Sequence, residues 1–305
     1  MNPDTQLTDL QIKNVCEQHG IKYSLHKRIT TGFSHEVHQL NDNLIIKIYD
    51  SKHLSNLKKE IAILGSNLDF SKPTLVATGK LNDSNRAYII MNFIPGWSLG
   101  GRWHFATDLQ REKLIKQVCH SLKIINTADS KLIGANRSQN WPEAMINICN
   151  DLVAKLEAKQ TISFKIAEQA KRAILKYAGF LENSIQYVVF WDIHFDNFIV
   201  NDNFELQAII DLESIDFTAL DYPMFVLQKM TDSPHKYLRE DEEKYANTKD
   251  YVMLKDWYRK YYPEMFNFNN LDLRLKFYQL RDVLHLLQDW PTVQECHDEL
   301  IRLIG

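Results

Sequence analysis

The 305-residue sequence has few cysteines, glycines and prolines, and it has no long hydrophobic run. The four cysteines are far apart and form no Cys-x-x-Cys pair, which argues against a zinc site or a disulfide framework and favours a reducing compartment. No stretch approaches the roughly 18 to 20 apolar residues that span a bilayer. The first residues contain neither a basic nor an apolar segment, so we expect no signal peptide and a cytoplasmic location.

An excess of basic charge is also missing from the chain. The 36 Lys and Arg residues are outnumbered by 39 Asp and Glu residues, which gives a net charge of −3. We therefore expect neither nucleic acid nor a membrane surface as a partner. The composition, 45% hydrophobic and 25% charged, is that of a globular protein that can bury a sizeable core without a disulfide or a metal.

The first ninety residues read mainly as β-structure. Thr8-Asp9-Leu10-Gln11 has the form of a capping box and predicts a helix over 8–19. A second helix is predicted from Leu54 to Asn67. Short runs bounded by turn residues predict strands, and these are Lys22–Ile29, Glu36–Leu40, Leu44–Tyr49, Thr74–Thr78 and Ala87–Met91.

The best candidate for a hinge is the segment that holds Pro95, Gly96 and the pair Gly100-Gly101. Beyond it the pattern is mainly helical, with predicted helices over 107–127, 141–158 and 163–181 and again from Asp221 onwards. Three short β-like runs interrupt the helices, at Gln186–Phe190, Phe198–Val200 and Gln207–Ile210. We therefore predict an α+β chain with a small β-rich part (1–91), a linker (92–101) and a large helical part (102–305), and a ligand site in the cleft between the two parts.

The residues that indicate chemistry lie in the second part. Asp192 and Asn197 belong to a polar loop between two apolar β-like runs, and Asp211 ends a further apolar run. Phosphoryl transfer requires positioning, metal ions that bridge phosphate oxygens, and a carboxylate beside the incoming hydroxyl. An Asp and an Asn offer the hard oxygen ligands that Mg²⁺ prefers. These three residues match the requirements, although Asp192 and Asp211 could also be simple turn or cap residues.

The Asp-x-x-x-x-Asn loop followed by Asp211-Leu212-Glu213 resembles the pattern shared by protein kinases and the aminoglycoside phosphotransferase and choline kinase-like family. The position of His194, two residues after Asp192, makes the second resemblance closer. It implies a bilobal protein kinase-like fold with a small β-rich N-lobe and a large, mainly helical C-lobe. It also implies that Asp192 is the catalytic residue and that Asn197 and Asp211 bind Mg²⁺.

Earlier residues occur in the order that the resemblance implies for a nucleotide site. Lys47, in an otherwise apolar strand, resembles the lysine that contacts the α- and β-phosphates, and Glu60 follows on a helix where it can pair with Lys47. A solvated strand lysine and a surface helix glutamate are the alternatives.

The remaining nucleotide contacts implied by the resemblance are less distinctive. Gly32 and Ser34 stand where a turn covers the phosphates, and Met91 and Phe93 stand where a hinge contacts the nucleobase of ATP or GTP. A lone glycine in a turn is common, so Gly32 carries little weight by itself.

The sequence departs from the family pattern at two places. Phe190-Trp191 replaces the His-Gly that precedes the catalytic Asp, and Glu213 replaces the Gly of Asp-Phe-Gly. It departs further from protein kinases, because Asp221 follows Asp211 after only ten residues and no Ala-Pro-Glu or His-Arg-Asp motif is present. A protein substrate is therefore disfavoured.

The resemblance implies a small-molecule kinase that transfers the γ-phosphoryl group of Mg²⁺-bound ATP or GTP to a hydroxyl of a small, amine-bearing acceptor. Two alternatives remain: a metabolite kinase of the choline, ethanolamine, homoserine or sugar type, and a catalytically inactive nucleotide-binding or regulatory module. Asp216 is a candidate for a further metal or acceptor contact. Asp282, His285 and Asp289 share a helix face that could bind an amine, although typical burial of charge favours a solvent-exposed face.

Overall fold

The computed structural model describes residues 7–29, 35–81, 85–135, 140–239 and 242–305. Its N-terminal part is a five-stranded antiparallel sheet with the order β1-β2-β3-β5-β4, accompanied by two helices. The strands are β1 (His26–Ile29), β2 (Glu36–Leu40), β3 (Leu44–Tyr49), β4 (Leu75–Lys80) and β5 (Ala87–Asn92), and the helices are α1 (Asp9–Gln18) and α2 (Leu54–Leu64).

Alternation along β3 gives the two faces of this sheet different neighbours. Ile46 and Ile48 belong to a buried cluster that includes the apolar side of α1. Tyr49 belongs to the larger core that includes α2, and Lys47 lies on this same face because side chains two residues apart point the same way. The sheet therefore presents Lys47 toward α2 and the C-terminal part of the chain.

The C-terminal part is mainly helical. Its helices are α3 (Asp108–Asn126), α4 (Trp141–Ala158), α5 (Phe164–Ala178), α6 (Met224–Asp232), α7 (Leu254–Tyr261), α8 (Leu271–Asp289) and α9 (Gln294–Ile304). This part also contains two small antiparallel sheets, with the strand orders β6-β8-β9 and β7-β10. Their strands are β6 (Trp97–Ser98), β7 (Gln186–Phe190), β8 (Phe198–Val200), β9 (Leu206–Ile209) and β10 (Ile215–Ala219). Across the ranges described above, no helix has the length and apolarity needed to cross a bilayer.

Helix starts follow local capping chemistry. The capping box at the start of α1 is formed by Thr8 and Gln11, and a second box at the start of α3 uses Thr107 and Gln110. Each Thr hydroxyl accepts from the N3 amide while the Gln side chain accepts from the Thr amide, which satisfies two otherwise free backbone donors. The predicted helix over 8–19 is thus present as α1.

Expectations about several elements need correction. The helix from Leu54 ends at Leu64 rather than Asn67, since Gly65 follows it as the C-cap. The chain after Asp221 is not uniformly helical, because between α6 and α7 the described residues form only short 3₁₀ helices. Strand β10 is absent from the sequence prediction. Part of the predicted linker 92–101 forms β6, which pairs with β8.

A buried ion pair fixes α8 to the segment that precedes α6. The Arg274 guanidinium donates from Nε to Asp221 Oδ2 at 2.5 Å and from Nη2 to Asp221 Oδ1 at 2.8 Å. The Tyr278 hydroxyl donates to Asp221 Oδ1 at 3.0 Å. All three side chains are buried, so this bidentate pair sets the position of the helix that brings Arg281 and Asp282 to the cleft.

Candidate active site

Lys47 is surrounded by carboxylates from both parts of the chain. Its ammonium donates to Glu60 Oε2 on α2 at 3.0 Å and to Asp211 Oδ1, and Glu213 Oε1 lies 3.6 Å away. The Tyr49 hydroxyl also donates to Glu60 Oε2. The structure therefore brings together Lys47, Glu60 and Asp211, which lie far apart in the sequence.

The charges in this cluster support one another. Burial opposes the charge of Lys47, but Asp211 and Glu60 outweigh that penalty and hold the pKa of the Lys47 ammonium well above its ordinary value. Burial works against the ionised form of Asp211 as well, yet the Lys47 ammonium lowers the pKa of that carboxyl. Burial raises the pKa of Glu60, against the attraction of Lys47. Lys47 is therefore a buried, charged ammonium group surrounded by the carboxylates of Glu60, Asp211 and Glu213.

Asp192 begins the loop that follows β7. The Asn197 side-chain amide donates to the backbone carbonyl of Asp192 at 2.8 Å, and the backbone carbonyl of Asn197 accepts from Ile210 N at 2.9 Å. These two bonds tie the loop to itself and to the end of β9. Because the Asn197 amide nitrogen is used in this way, its side-chain oxygen is left for another partner.

His194 contacts Asp192 directly. Its Nε2 lies 3.5 Å from Asp192 Oδ2, and its Nδ1 accepts from Asp196 N at 3.3 Å. Burial disfavours the charged imidazole, but the Asp192 carboxylate outweighs burial and raises the pKa of His194. His194 therefore orients the Asp192 carboxylate within the loop.

Strand pairing places Asp211 beside the Asp192 loop. Ile215 at the start of β10 pairs with Phe190 at the end of β7, and Trp191 N donates to Ser214 O at 3.2 Å. Asp211 itself has φ 59° and ψ 46°, a left-handed conformation that Asp tolerates better than most residues. This turn directs the Asp211 carboxylate toward Lys47.

The donor set suits Mg²⁺ in chemical type. Asp211 supplies a carboxylate and Asn197 supplies an amide oxygen, which are the hard ligands that Mg²⁺ takes in kinases together with phosphate oxygens and water. Within the described residues there is no group of three or more His, Cys, Asp or Glu side chains arranged to hold a metal without a substrate. Asp211 and Asn197 thus offer the oxygen donors that Mg²⁺ would take.

The other predicted nucleotide contacts have different outcomes. Gly32 and Ser34 lie outside the described residues. Met91 is buried in β5, between β3 and β4. The Phe93 amide already donates to Asn43 O at 2.8 Å. Neither Met91 nor Phe93 lines the cavity described next, and their predicted contact with a nucleobase remains a prediction.

A cavity of about 590 Å³ opens beside Asp192 and Asp211. Its walls come from α2, α4, β10 and α8. Trp191, one of the departures from the family pattern, forms part of the wall and stacks on Phe225 with ring centroids 6.4 Å apart. Asp192 still reaches the cavity with 22% of its side chain exposed. The bulky residue therefore shapes the cavity without covering the carboxylate.

The other departure, Glu213, makes a contact that sequence reasoning missed. Its carboxylate accepts from His35 Nε2 at 2.7 Å, and both side chains are buried. His35 is the first described residue after the segment 30–34. The sequence signal for this contact is the acidic Glu213, two residues after the proposed metal ligand Asp211. The sequence does not identify its partner His35, because that depends on how the N-terminal sheet packs against the C-terminal part.

Asp282 and His285 line the cavity from α8, together with Arg281, whereas Asp289 does not. Asp216 lines it too, and accepts from Lys59 Nζ at 3.2 Å. The structure thus places the first two residues at the cavity, and amine binding by this helix face remains a prediction. The sequence pattern does not single out Arg281.

The chain matches no protein-family model and no curated protein sequence. It is similar in structure to ADP-bound aminoglycoside phosphotransferase APH(2'')-Ib (TM-score 0.66, 16% identity, 98% of this chain and 97% of that chain covered). It is also similar to the GDP complex of aminoglycoside 2'-phosphotransferase-IIIa (TM-score 0.67, 15% identity, 98% of this chain and 97% of that chain covered). A third similar structure is a thermostable mutant of APH(4)-Ia in ternary complex with ADP and hygromycin B. Its TM-score is 0.67 and its identity is 13%, with 97% of this chain and 98% of that chain covered. The predicted bilobal α+β class is confirmed: this chain has the kinase-like fold of the aminoglycoside phosphotransferases.

Proposed function

We propose that the protein is a small-molecule kinase that transfers the γ-phosphoryl group of ATP or GTP, bound with Mg²⁺, to a hydroxyl group of a small acceptor. In this proposal it acts in the cytoplasm, with residues 1–91 as the N-lobe, 92–101 as the linker and 102–305 as the C-lobe. The observation that carries the proposal is the convergence of Lys47, Glu60 and Asp211 next to a cavity that Asp192 reaches.

Each residue of the cluster has a role in the reaction. Lys47, held by Glu60, presents its ammonium to the α- and β-phosphates. Asn197 and Asp211 would hold Mg²⁺, which neutralises charge on the phosphate oxygens. Asp192 accepts the proton of the acceptor hydroxyl, whose oxygen bonds to the γ-phosphorus while the bond to the β–γ bridging oxygen breaks and the nucleoside diphosphate leaves.

The structural neighbours support this assignment. One was determined with ADP, one with GDP, and one with ADP and hygromycin B. They are aminoglycoside phosphotransferases by name, so an amine-bearing antibiotic is one candidate acceptor. A metabolite acceptor is the other, because identities of 13 to 16% leave the acceptor side free to differ.

The contrasting hypothesis is a catalytically inactive module. It is suggested by Phe190-Trp191, which replaces the His-Gly of the family pattern before the catalytic Asp. Two observations favour an enzyme. Asp192 keeps its access to the cavity, and the Lys47–Glu60 pair is intact at 3.0 Å. A buried lysine held by carboxylates is costly to maintain unless it has a use.

Coupled measurement of nucleotide consumption with Mg²⁺ tests the proposal. The acceptor panel contains aminoglycosides, amino alcohols, sugars and sugar acids, and Asp192→Ala is assayed beside the wild type. We expect acceptor-dependent turnover that Asp192→Ala lowers by at least about 100-fold, since a positioned base contributes roughly 10² to 10⁴.

Asp202→Asn is the matched control. Asp202 is exposed, accepts from Trp97 Nε1 at 2.9 Å on the β8–β9 connection, and lies outside the cavity. Its variant should retain wild-type turnover. Nucleotide binding without turnover on any acceptor would favour the inactive module, and absence of Mg²⁺-dependent nucleotide binding would refute the kinase proposal.

A further inference from the structure

Arg281 is a cation without a carboxylate partner in the wall of the cavity. It lies on α8 and lines the same cavity as Asp192. Its Nε is buried and has no hydrogen-bond partner, and within the described ranges no carboxylate lies within 4 Å of the guanidinium. Arg274, two turns earlier on α8, is the contrast, because its guanidinium is fully occupied by Asp221, Ser184 and a backbone carbonyl.

The carboxylates that line the cavity each contact another basic side chain. The pairs are Asp192 with His194 at 3.5 Å, Asp211 with Lys47, Glu213 with His35 at 2.7 Å, Asp216 with Lys59 at 3.2 Å, and Asp282 with Lys229. Of the two Lys and Arg side chains that line the cavity among the described residues, Lys59 pairs with Asp216, whereas Arg281 lies within 4 Å of no carboxylate.

An unpaired, partly buried guanidinium costs free energy, so it calls for a partner that the protein itself does not supply. Arg stays protonated at all physiological pH values and presents five donors in a planar fork that matches an oxyanion. Three aromatic side chains line the same cavity, namely Trp141, Trp191 and Tyr222. They suit the carbon skeleton of a small acceptor.

We propose that the acceptor carries an oxyanion, a carboxylate or a phosphate, which binds Arg281 while the reacting hydroxyl lies at Asp192. The acceptor class is therefore a hydroxylated acid rather than a polycationic amine. This inference rests on the proposed function for the reaction, but its binding step can be measured without nucleotide, metal or turnover.

Binding is tested by isothermal titration of the full chain with two matched trios. The first is glycerol, glycerate and glycerol 3-phosphate, and the second is glucose, glucuronate and glucose 6-phosphate. In at least one trio we expect an anionic member to bind roughly 10- to 100-fold more tightly than the neutral one, as expected for hydrogen bonds to a charged group. Comparing the carboxylates (glycerate and glucuronate) with the phosphates (glycerol 3-phosphate and glucose 6-phosphate) shows which oxyanion is preferred.

Arg281→Gln should remove this preference, because it weakens binding of the anionic members far more than binding of the neutral one. Arg281→Lys keeps the charge without the fork and should give an intermediate preference. Arg172→Gln is the matched control, because Arg172 is exposed on α5 away from the cavity and the same charge is lost. Removing an unpaired cation should not lower the melting temperature of Arg281→Gln, whereas a purely structural arginine would lower it.

Equal binding of neutral and anionic members in both trios would overturn the inference, and so would a preference that Arg281→Gln retains. If the wild type binds the anion through Arg281 but never consumes nucleotide, the acceptor inference stands and the kinase proposal fails. If turnover occurs only with aminoglycosides and no anion binds, the kinase proposal stands and this inference fails.

Discussion

Single residues in the Lys47 cluster act on more than one neighbour. Glu60 accepts from both Lys47 and Tyr49 and is almost completely buried. Its carboxylate therefore fixes where the Lys47 ammonium lies relative to Asp211. Loss of that charge leaves Lys47 free to move toward the two carboxylates of the C-terminal part.

Glu60→Gln should weaken binding of ADP with Mg²⁺ by about tenfold, because one charged hydrogen bond that positions Lys47 is lost. Titration calorimetry measures the change. The control is Glu17→Gln, whose exposed carboxylate lies 3.9 Å from Lys13 on α1 and should leave ADP binding unaltered. Unchanged affinity in Glu60→Gln would show that Lys47 does not need this partner.

The Asp192 loop is a second place where one residue positions another. His194→Ala should lower kcat without changing the nucleotide KM, because it frees the Asp192 carboxylate while the Lys47 cluster is untouched. Steady-state kinetics with varied nucleotide separates the two parameters. A rise in the nucleotide KM at constant kcat would contradict the positioning role of His194.

At the scale of elements, α8 depends on a buried pair. Arg274→Met leaves the buried Asp221 carboxylate without its cation and should lower the free energy of unfolding by about 3–5 kcal/mol. Urea denaturation measures this. Arg259→Met is the control, since Arg259 and Asp256 form an exposed pair whose loss should cost at most about 1 kcal/mol. Equal destabilisation by the two substitutions would refute the role assigned to the buried pair.

Strand β2 carries a carboxylate that makes stability depend on pH. Burial opposes the ionised form of Glu36, but the hydrogen bonds from His38 and from Leu7 N outweigh it and lower its pKa below the ordinary 4.5. A lowered carboxyl pKa contributes stability that is present above the unfolded pKa and is lost as the pH falls through the folded pKa. This contribution should therefore disappear on the acid side of about pH 4.5.

Thermal melting of wild type and Glu36→Gln from about pH 7 down to about pH 3 checks this sign. The wild type should be the more stable protein at neutral pH, and the difference should shrink as the acid limit is approached. A difference that grows on acidification would show that the Glu36 pKa is raised rather than lowered.

The elements that the sequence predicts well are those with a strong local signal. Strand β7 has the predicted bounds Gln186–Phe190, and β3 has the predicted bounds Leu44–Tyr49, because both are apolar runs between turn residues. Strand β10 is different. It contains Asp216 within five residues, and it forms because β7 offers a partner, which no local pattern reports.

The same distinction holds for the site. Asp192, Asn197 and Asp211 are predicted as candidate site residues from their spacing along one short segment. Arg281 and the His35–Glu213 contact are not, because they depend on how α8 and the sheet pack against that segment. Periodicity indicates which side of a helix is polar, but it does not tell which turn of that side meets a cavity.

At the scale of the whole molecule, basic side chains of the N-terminal part contact carboxylates of a short C-terminal segment. Lys47 contacts Asp211, His35 contacts Glu213, and Lys59 contacts Asp216, which is half exposed. These contacts join β3, α2 and the residue before β2 to the segment around β10. The relative position of the two lobes is therefore set in part by charge.

Glu213→Gln should loosen this connection in the absence of nucleotide. We expect limited proteolysis in residues 92–101 to become several-fold faster, because a partly open form exposes the linker more often. Glu17→Gln serves as the control, because its exposed carboxylate lies on α1 and pairs with Lys13. If both variants are cut at the wild-type rate, the His35–Glu213 contact does not hold the lobes together.

The short segment from Asp211 to Asp221 has a consequence for regulation. Within it, Leu212–Ser214 form a 3₁₀ helix and Ile215–Ala219 form β10, which pairs with β7 along its whole length. This segment leaves no long loop for a modifying enzyme to reach and rearrange. A kinase of the proposed kind would therefore have no long loop at this position that could be switched by modification.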